Sequence, residues 1–196
     1  IVDHADVRRM LASMKADVFA ARAIALSCAV AIDMHTATGE PEWKARAAFL
    51  TPIAKAFGTD VGIDVAQQGF IEETGAAQFY RDVRVTSIYE GTNGIQAMDL
   101  VARKMMDGGE AAHALIDAIE EQAEAARERF PRMGEAVWQA SENLREATEW
   151  LVQQKDMEDR FAGAVPYLRA FARVLGGHLH LKAALADAVG GPREKL

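Results

Sequence analysis

The chain has 196 residues, half of them hydrophobic and only five of them proline, which suits one domain or two small ones around a real core and excludes a disordered segment. A formal charge of −7 and a pI near 5.3 argue against non-specific attraction to phosphate backbones, so nucleic acid is not an expected partner. The one cysteine, Cys28, sits in an apolar run and reads as a small buried residue of a cytoplasmic protein.

Asp3 to about His35 reads as one long helix, with Val7, Leu11, Met14, Val18, Ala21 and Ala25 at steps of three and four. Its longest charge-free run, "AIALSCAVAI", is much shorter than the roughly 20 residues that span a bilayer, so no membrane span is expected. "ATGEPEW" then breaks the pattern with Gly39 and Pro41. A second helix is expected from about Trp43 to Ala66, with Leu50, Ala54, Phe57, Val61 and Val65 as its stripe and Pro52 inside it. After an irregular segment, Ile95, Met98, Ala102 and Met105 mark a third, ending at "DGGE". Beyond Gly109 come three plain amphipathic stretches: Glu110 to Arg129, Glu135 to Lys155, and Tyr167 to Val189. "KDMEDRFAGAVP" reads as the connection before the last. The expected fold is therefore all-α, an up-and-down helical bundle over 1–106 followed by a helical extension over 107–196. The methionines Met98, Met105 and Met106 read as core filler.

The irregular segment "YRDVRVTSIYEGTNGIQ", Tyr80 to Gln96, holds the chemistry-bearing candidates. Val83, Val85, Ser87 and Tyr89 alternate, and Asn93-Gly94 is a strong hairpin signal, so a β-hairpin is one reading. The preferred reading is a loop running into a helix start, with Thr92 or Asn93 as N-cap and free backbone N–H groups as a natural anion site. Glu90 reads either as a solvated loop carboxylate or as a general base, desolvated on one side while a ligand approaches Gly91. Metal chemistry is not expected: His178 and His180 are two apart on one helix, and no histidine or cysteine cluster has zinc spacing. There is no Gly-x-Gly-x-x-Gly after a strand and no Gly-x-Ser-x-Gly.

The string "GFIEETGAAQFYRDVRVTSIYEGTNGIQAMDLVARK", Gly69 to Lys104, resembles the signature of the acyl-CoA dehydrogenase C-terminal helical domain, in which an arginine–aspartate pair is followed by Ile-Tyr-Glu-Gly-Thr. "DHADVRRMLASMKA", Asp3 to Ala16, resembles the first helix of that domain in larger bacterial members. The stretch after Gly109 is similar to the helical extension of the same subgroup, which includes methylthiopropionyl-CoA dehydrogenase-like enzymes.

The resemblance implies an FAD-dependent α,β-dehydrogenation of an acyl-CoA thioester. Glu90 would remove the α-proton while a β-hydride passes to the flavin N5. Gly91 would lie at the substrate thioester, and Thr92 and Gly94 near the FAD phosphates. It implies electron-transfer flavoprotein as the electron acceptor, or oxygen in an acyl-CoA oxidase, and a homo-oligomer. Broad apolar faces such as Val18, Ala21, Ile24, Ala25 and Val30 agree with the homo-oligomer. A non-catalytic interaction module is the competing class. Arg81 and Asp82 would form a structural ion pair. The family's glycine-rich stretch before "FIEETG" reads several residues short here, at Ala66–Gly69, either as a true deletion or as a loop absent from this numbering, and the flavin-binding N-terminal and middle domains and an arginine that the resemblance implies are not in this sequence. Opening at Ile1 without methionine and without a signal-peptide pattern, the chain is expected to be a C-terminal piece of a longer protein, inactive and weakly flavin-binding alone.

Overall fold

The computed structural model describes residues 3–69 and 72–187. They form α1 (Ala5–Thr38), α2 (Pro41–Gln67), α3 (Ala77–Val83), α4 (Asn93–Ala102), α5 (Glu110–Ala126), α6 (Pro131–Gln153) and α7 (Met157–Asp187). Two 3-10 turns, Glu72–Thr74 and Arg84–Ser87, flank α3, and among the described residues there is no strand. The all-α expectation holds, and the hairpin does not form. The expected helix end at Val189 and the tail "GGPREKL" lie outside the described residues.

Local chemistry sets the first boundaries. Gly39 takes a left-handed φ of 74° and donates its N–H to His35 O at 2.8 Å, closing α1 as only glycine does without strain. Pro41 opens α2, where its missing N–H costs nothing, and Pro131 opens α6 for the same reason, four residues before the expected start. Three expectations need correction. The irregular segment opens with a short helix, Ala77–Val83, and the strand-like alternation that begins at Val83 falls on a 3-10 turn, Arg84–Ser87. The third expected helix ends at Ala102, before Met105. "KDMEDRFAGAVP" is mostly the first part of α7, with Pro166 in the helix interior. Pro166 is exposed while Ala164, Tyr167 and Leu168 are buried, so packing of that face outweighs the backbone cost of the proline.

One apolar cluster holds the helices together. It joins Ile24 of α1, Phe49 and Ile53 of α2, Leu100 of α4, Ile116 of α5, Leu144 of α6 and Phe171 of α7, so it runs through both the first and the last three helices. Cys28 is buried within it, as expected. Met105 is buried too, but Met106 is 80% exposed and fills no core. A Cβ built on Gly176 would stand 2.8 Å from the Ala20 Cβ, so α1 and α7 pack with almost nothing between them. Arg160 donates to Val101 O at 3.2 Å, Val152 O at 2.8 Å and Gln154 O at 3.1 Å. It therefore satisfies carbonyls at the C-terminal ends of both α4 and α6, where a cation is favoured by the helix dipole.

α1 leaves Leu11, Leu26, Val30 and Ile32 exposed. Among the described residues it is the one helix long and apolar enough, by length and composition, to cross a bilayer, and 22% of its most apolar window is buried in the fold. A charge-free run of ten residues understates this, because a window of eighteen tolerates up to two charges.

His178 of α7 is 9% exposed, and its Nδ1 has no hydrogen-bond partner. Burial, then Lys182 and Arg46, pull its pKa from the ordinary 6.5 down to about 4. The unfolded chain therefore binds a proton between pH 6.5 and 4 that the folded chain refuses, and stability falls as pH falls through that window. The expected loss from this one ring is about 2–3 kcal/mol, complete near pH 4. Urea unfolding of the wild type and of His178→Leu at pH 7 and pH 4.5 checks it. Equal pH-dependent losses in the two proteins would show that the ring takes no part.

Candidate active site

The segment from α3 to α4 is built from short pieces. α3 runs into the 3-10 turn Arg84–Ser87, and a tight turn then delivers the chain to α4. Thr92 is the N-cap of α4: its backbone is extended and its Oγ1 accepts from Ile95 N at 3.2 Å. That places the helix start where the loop reading expects it. The amide N–H groups of Asn93 and Gly94 meet no acceptor among the described residues, so two donors at the positive end of α4 stay open. A Cβ on Gly94 would meet nothing closer than Thr92 Oγ1 at 3.7 Å, which leaves room above this end. Such a donor set suits an anionic group like a phosphate.

Glu90 and Gly91 form the turn before the cap. Glu90 has φ 55°, the one non-glycine residue with positive φ among the described residues, and Gly91 follows with φ 85°. A glutamate there costs backbone energy, of order 1–3 kcal/mol, and persists only where its surroundings hold it. The holding contacts are visible. Gln96 Nε2 donates to Glu90 O at 3.0 Å, and Lys55 Nζ of α2 donates to Gly91 O at 2.8 Å.

Asn93 ties the same turn to α2. Its Oδ1 accepts from Lys55 Nζ at 2.9 Å and Thr59 Oγ1 at 3.2 Å. Its Nδ2 donates to Asp60 Oδ1 at 2.7 Å, Thr59 Oγ1 at 2.9 Å and Ala56 O at 3.3 Å. The second Asp60 oxygen takes Arg169 Nη2 of α7 at 3.0 Å. A cavity of about 200 Å³ lies against Gly94, Asn93, Asp60 and Arg169.

The site residues singled out in the sequence thus fall together: Glu90, Gly91, Thr92 and Gly94 occupy one turn and one helix start. The flanks of Glu90 do not desolvate it, however. Glu90 is exposed, and so are Ile88, Tyr89 and Ile95. Arg81 and Asp82 do not pair with each other: Arg81 lies 3.8 Å from Glu72, and Asp82 accepts from Gln78 Nε2 at 2.7 Å. Neighbours on a helix point about 100° apart, whereas i and i+4 share a face, so Asp82 meets Gln78. Ile95, expected to face inward, is 53% exposed; α4 buries Ala97, Leu100 and Val101 between α2 and α7. Sequence reasoning missed Lys55, Asp60 and Arg169. Lys55 and Thr59 stand four apart beside the apolar stripe of α2, and that spacing was the available signal. Among the described residues no group of histidine, cysteine and carboxylate side chains could hold a metal ion.

The all-α fold thus presents a strained glutamate beside a helix start that is capped by Thr92 and keeps two backbone donors open. The family model described as "Acyl-CoA dehydrogenase, C-terminal domain" matches residues 1–106, and the model "Acetyl-CoA dehydrogenase C-terminal like" matches residues 98–190. The chain belongs to the acyl-CoA dehydrogenase family. It is 35% identical over 210 aligned residues to the 3-methylmercaptopropionyl-CoA dehydrogenase of Ruegeria pomeroyi, covering 96% of this chain and 35% of that protein. It is 31% identical to a butyryl-CoA dehydrogenase of Syntrophomonas wolfei, covering 96% of this chain and 33% of that protein. The chain spans about a third of the length of these relatives. The solved apo form of Bd2924 shares the fold, with a TM-score of 0.67 at 18% identity over 93% of this chain and 34% of that one.

Proposed function

We propose that this chain is the C-terminal helical part of an FAD-dependent acyl-CoA dehydrogenase, and that Glu90 is the base that takes the α-proton of a short acyl-CoA thioester. The observation that carries the reading is the backbone of Glu90. A left-handed glutamate held at its own carbonyl by Gln96 and at the next by Lys55 has its backbone fixed by the fold, although its carboxylate is exposed in this chain. The names of the two relatives, a methylmercaptopropionyl-CoA and a butyryl-CoA dehydrogenase, support a short acyl chain.

Glu90 accepts the proton on a carboxylate oxygen, and the proton leaves with that carboxyl group to solvent after product release. Gly91, without a side chain, lets the thioester approach the turn. The open amides of Asn93 and Gly94, with the Thr92 cap holding the helix start rigid, would hold a cofactor phosphate. A bound flavin supplies the acceptor for the β-hydride. Ile88, Tyr89 and Ile95 are exposed around an exposed Glu90, so in this reading parts of the longer protein would cover the turn and exclude water. The chain alone would then bind FAD weakly and turn over no substrate. The exposed apolar side of α1 supports an interface with other copies in a cytoplasmic homo-oligomer.

Stopped-flow mixing of the full-length protein with butyryl-CoA under anaerobic conditions tests this. Bleaching of the flavin, followed by fast reoxidation with electron-transfer flavoprotein and slow reoxidation with oxygen, is the expected result. Fast reoxidation by oxygen would make it an oxidase, and no bleaching with any acyl-CoA would leave a non-catalytic helical module.

A further inference from the structure

We infer that Lys55 and Asn93 are positioning residues for Glu90, and that Asp60 and Arg169 extend their anchor to α7. The inference rests on the reading of Glu90 as the base and adds the residues that set its direction. Two consecutive left-handed residues make a turn that a free chain leaves readily. Its carbonyls are held from two sides: Gln96 reaches back from α4 to Glu90 O, and Lys55 reaches across from α2 to Gly91 O.

Lys55 is half-buried, and among the described residues it forms no salt bridge. Its two acceptors are the neutral Gly91 O and Asn93 Oδ1. A partly buried ammonium group without a carboxylate is a poor choice for stability, and an apolar side chain would pack there more cheaply. What the ammonium does is bind the carbonyl next to Glu90 and the side chain that starts α4 in one grip. Asn93 is read in one orientation by this arrangement. Its oxygen faces Lys55 Nζ, which only donates, and its amide faces Asp60 Oδ1 and Ala56 O, which only accept, while the Thr59 hydroxyl can serve either end. Asp60 is turned toward it, with its other oxygen on Arg169. The chain of contacts therefore runs Arg169, Asp60, Asn93, Lys55, Gly91 O, and ends one peptide from the base. It links a residue of α7 to the catalytic turn.

The test uses full-length holoenzyme, butyryl-CoA and anaerobic flavin reduction. Lys55→Met keeps the stem and removes the donor. Asn93→Asp keeps the shape and the acceptor but sets a carboxylate against Asp60. Each is expected to lower the limiting reduction rate about 10- to 100-fold, the order that a misplacement near 1 Å costs, with butyryl-CoA affinity changed less than about threefold. Asn93→Asp combined with Asp60→Asn restores a donor facing an acceptor and is expected to recover most of the lost rate. Amide hydrogen exchange at 89–91 is expected to quicken in Lys55→Met and Asn93→Asp and to slow again in the double variant. Reduction rates and exchange that stay at wild-type level in Lys55→Met would overturn the inference, as would a double variant no better than Asn93→Asp. Glu90→Gln is run alongside. If it reduces flavin normally, the base reading fails, and the exchange data still decide whether Lys55 and Asn93 hold the turn.

Discussion

In the full-length protein, Glu90→Gln is expected to cut the rate of flavin reduction by acyl-CoA by roughly a hundred- to ten-thousandfold while FAD content and acyl-CoA affinity stay close to wild type. Glutamine keeps the length, the planar end and one acceptor oxygen, but it cannot take a proton. The α-hydrogen of a thioester is a weak acid, so a base placed within reach carries most of that step, and general-base catalysis has this magnitude. The backbone penalty at φ 55° is the same for both residues, so the substitution leaves the turn and its Lys55 and Gln96 contacts in place. A solvated loop carboxylate would behave otherwise, with stability changed by under about 0.5 kcal/mol and activity unchanged. Anaerobic single-turnover absorbance of the flavin separates the two outcomes by orders of magnitude. A variant that bleaches at the wild-type rate would take Glu90 out of the mechanism and leave the family membership as a matter of fold.

Phe171→Ala is expected to destabilise the chain by about 3–5 kcal/mol, a large share of a typical folding free energy of roughly 5–15 kcal/mol. Phe171 is 0% exposed. Its ring meets Phe49 of α2 edge-on at 4.9 Å between centroids and Tyr167 at 6.0 Å. Truncation opens a cavity in the shared core where α2 meets α7, and Tyr167 is held by its own hydrogen bond with Thr148 Oγ1 at 2.9 Å and cannot swing freely to fill it. Because one cluster includes both α2 and α7, the midpoint of urea unfolding is expected to drop in a single transition for the whole chain. A variant in which α1 to α4 keep their midpoint while the last helices melt early would mean that the two stretches fold as separate units.

Much of this molecule is legible in the sequence for local reasons. Helical spacing over the long apolar stripes decides the all-α class, because a stripe at every third or fourth residue buries only on a helix. Gly39 and Pro41 mark the α1–α2 break, since one supplies the left-handed φ and the other is favoured in the first turn of a helix. Thr92 is readable as a cap, and the ordered string around Tyr-Glu-Gly-Thr carries the family. Tertiary structure alone decided the rest. Pro166 stays inside α7 because burial of the opposite face outweighs a local penalty, a balance no local window contains. Asp82 turns from Arg81 to Gln78 because helix geometry, not adjacency in sequence, sets contact. Lys55, Asp60 and Arg169 come to the Glu90 turn from 35 or fewer residues before it and 79 after it only when α2, α4 and α7 pack together. Their roles are properties of that packing, since a side chain's partners are chosen by distance in space.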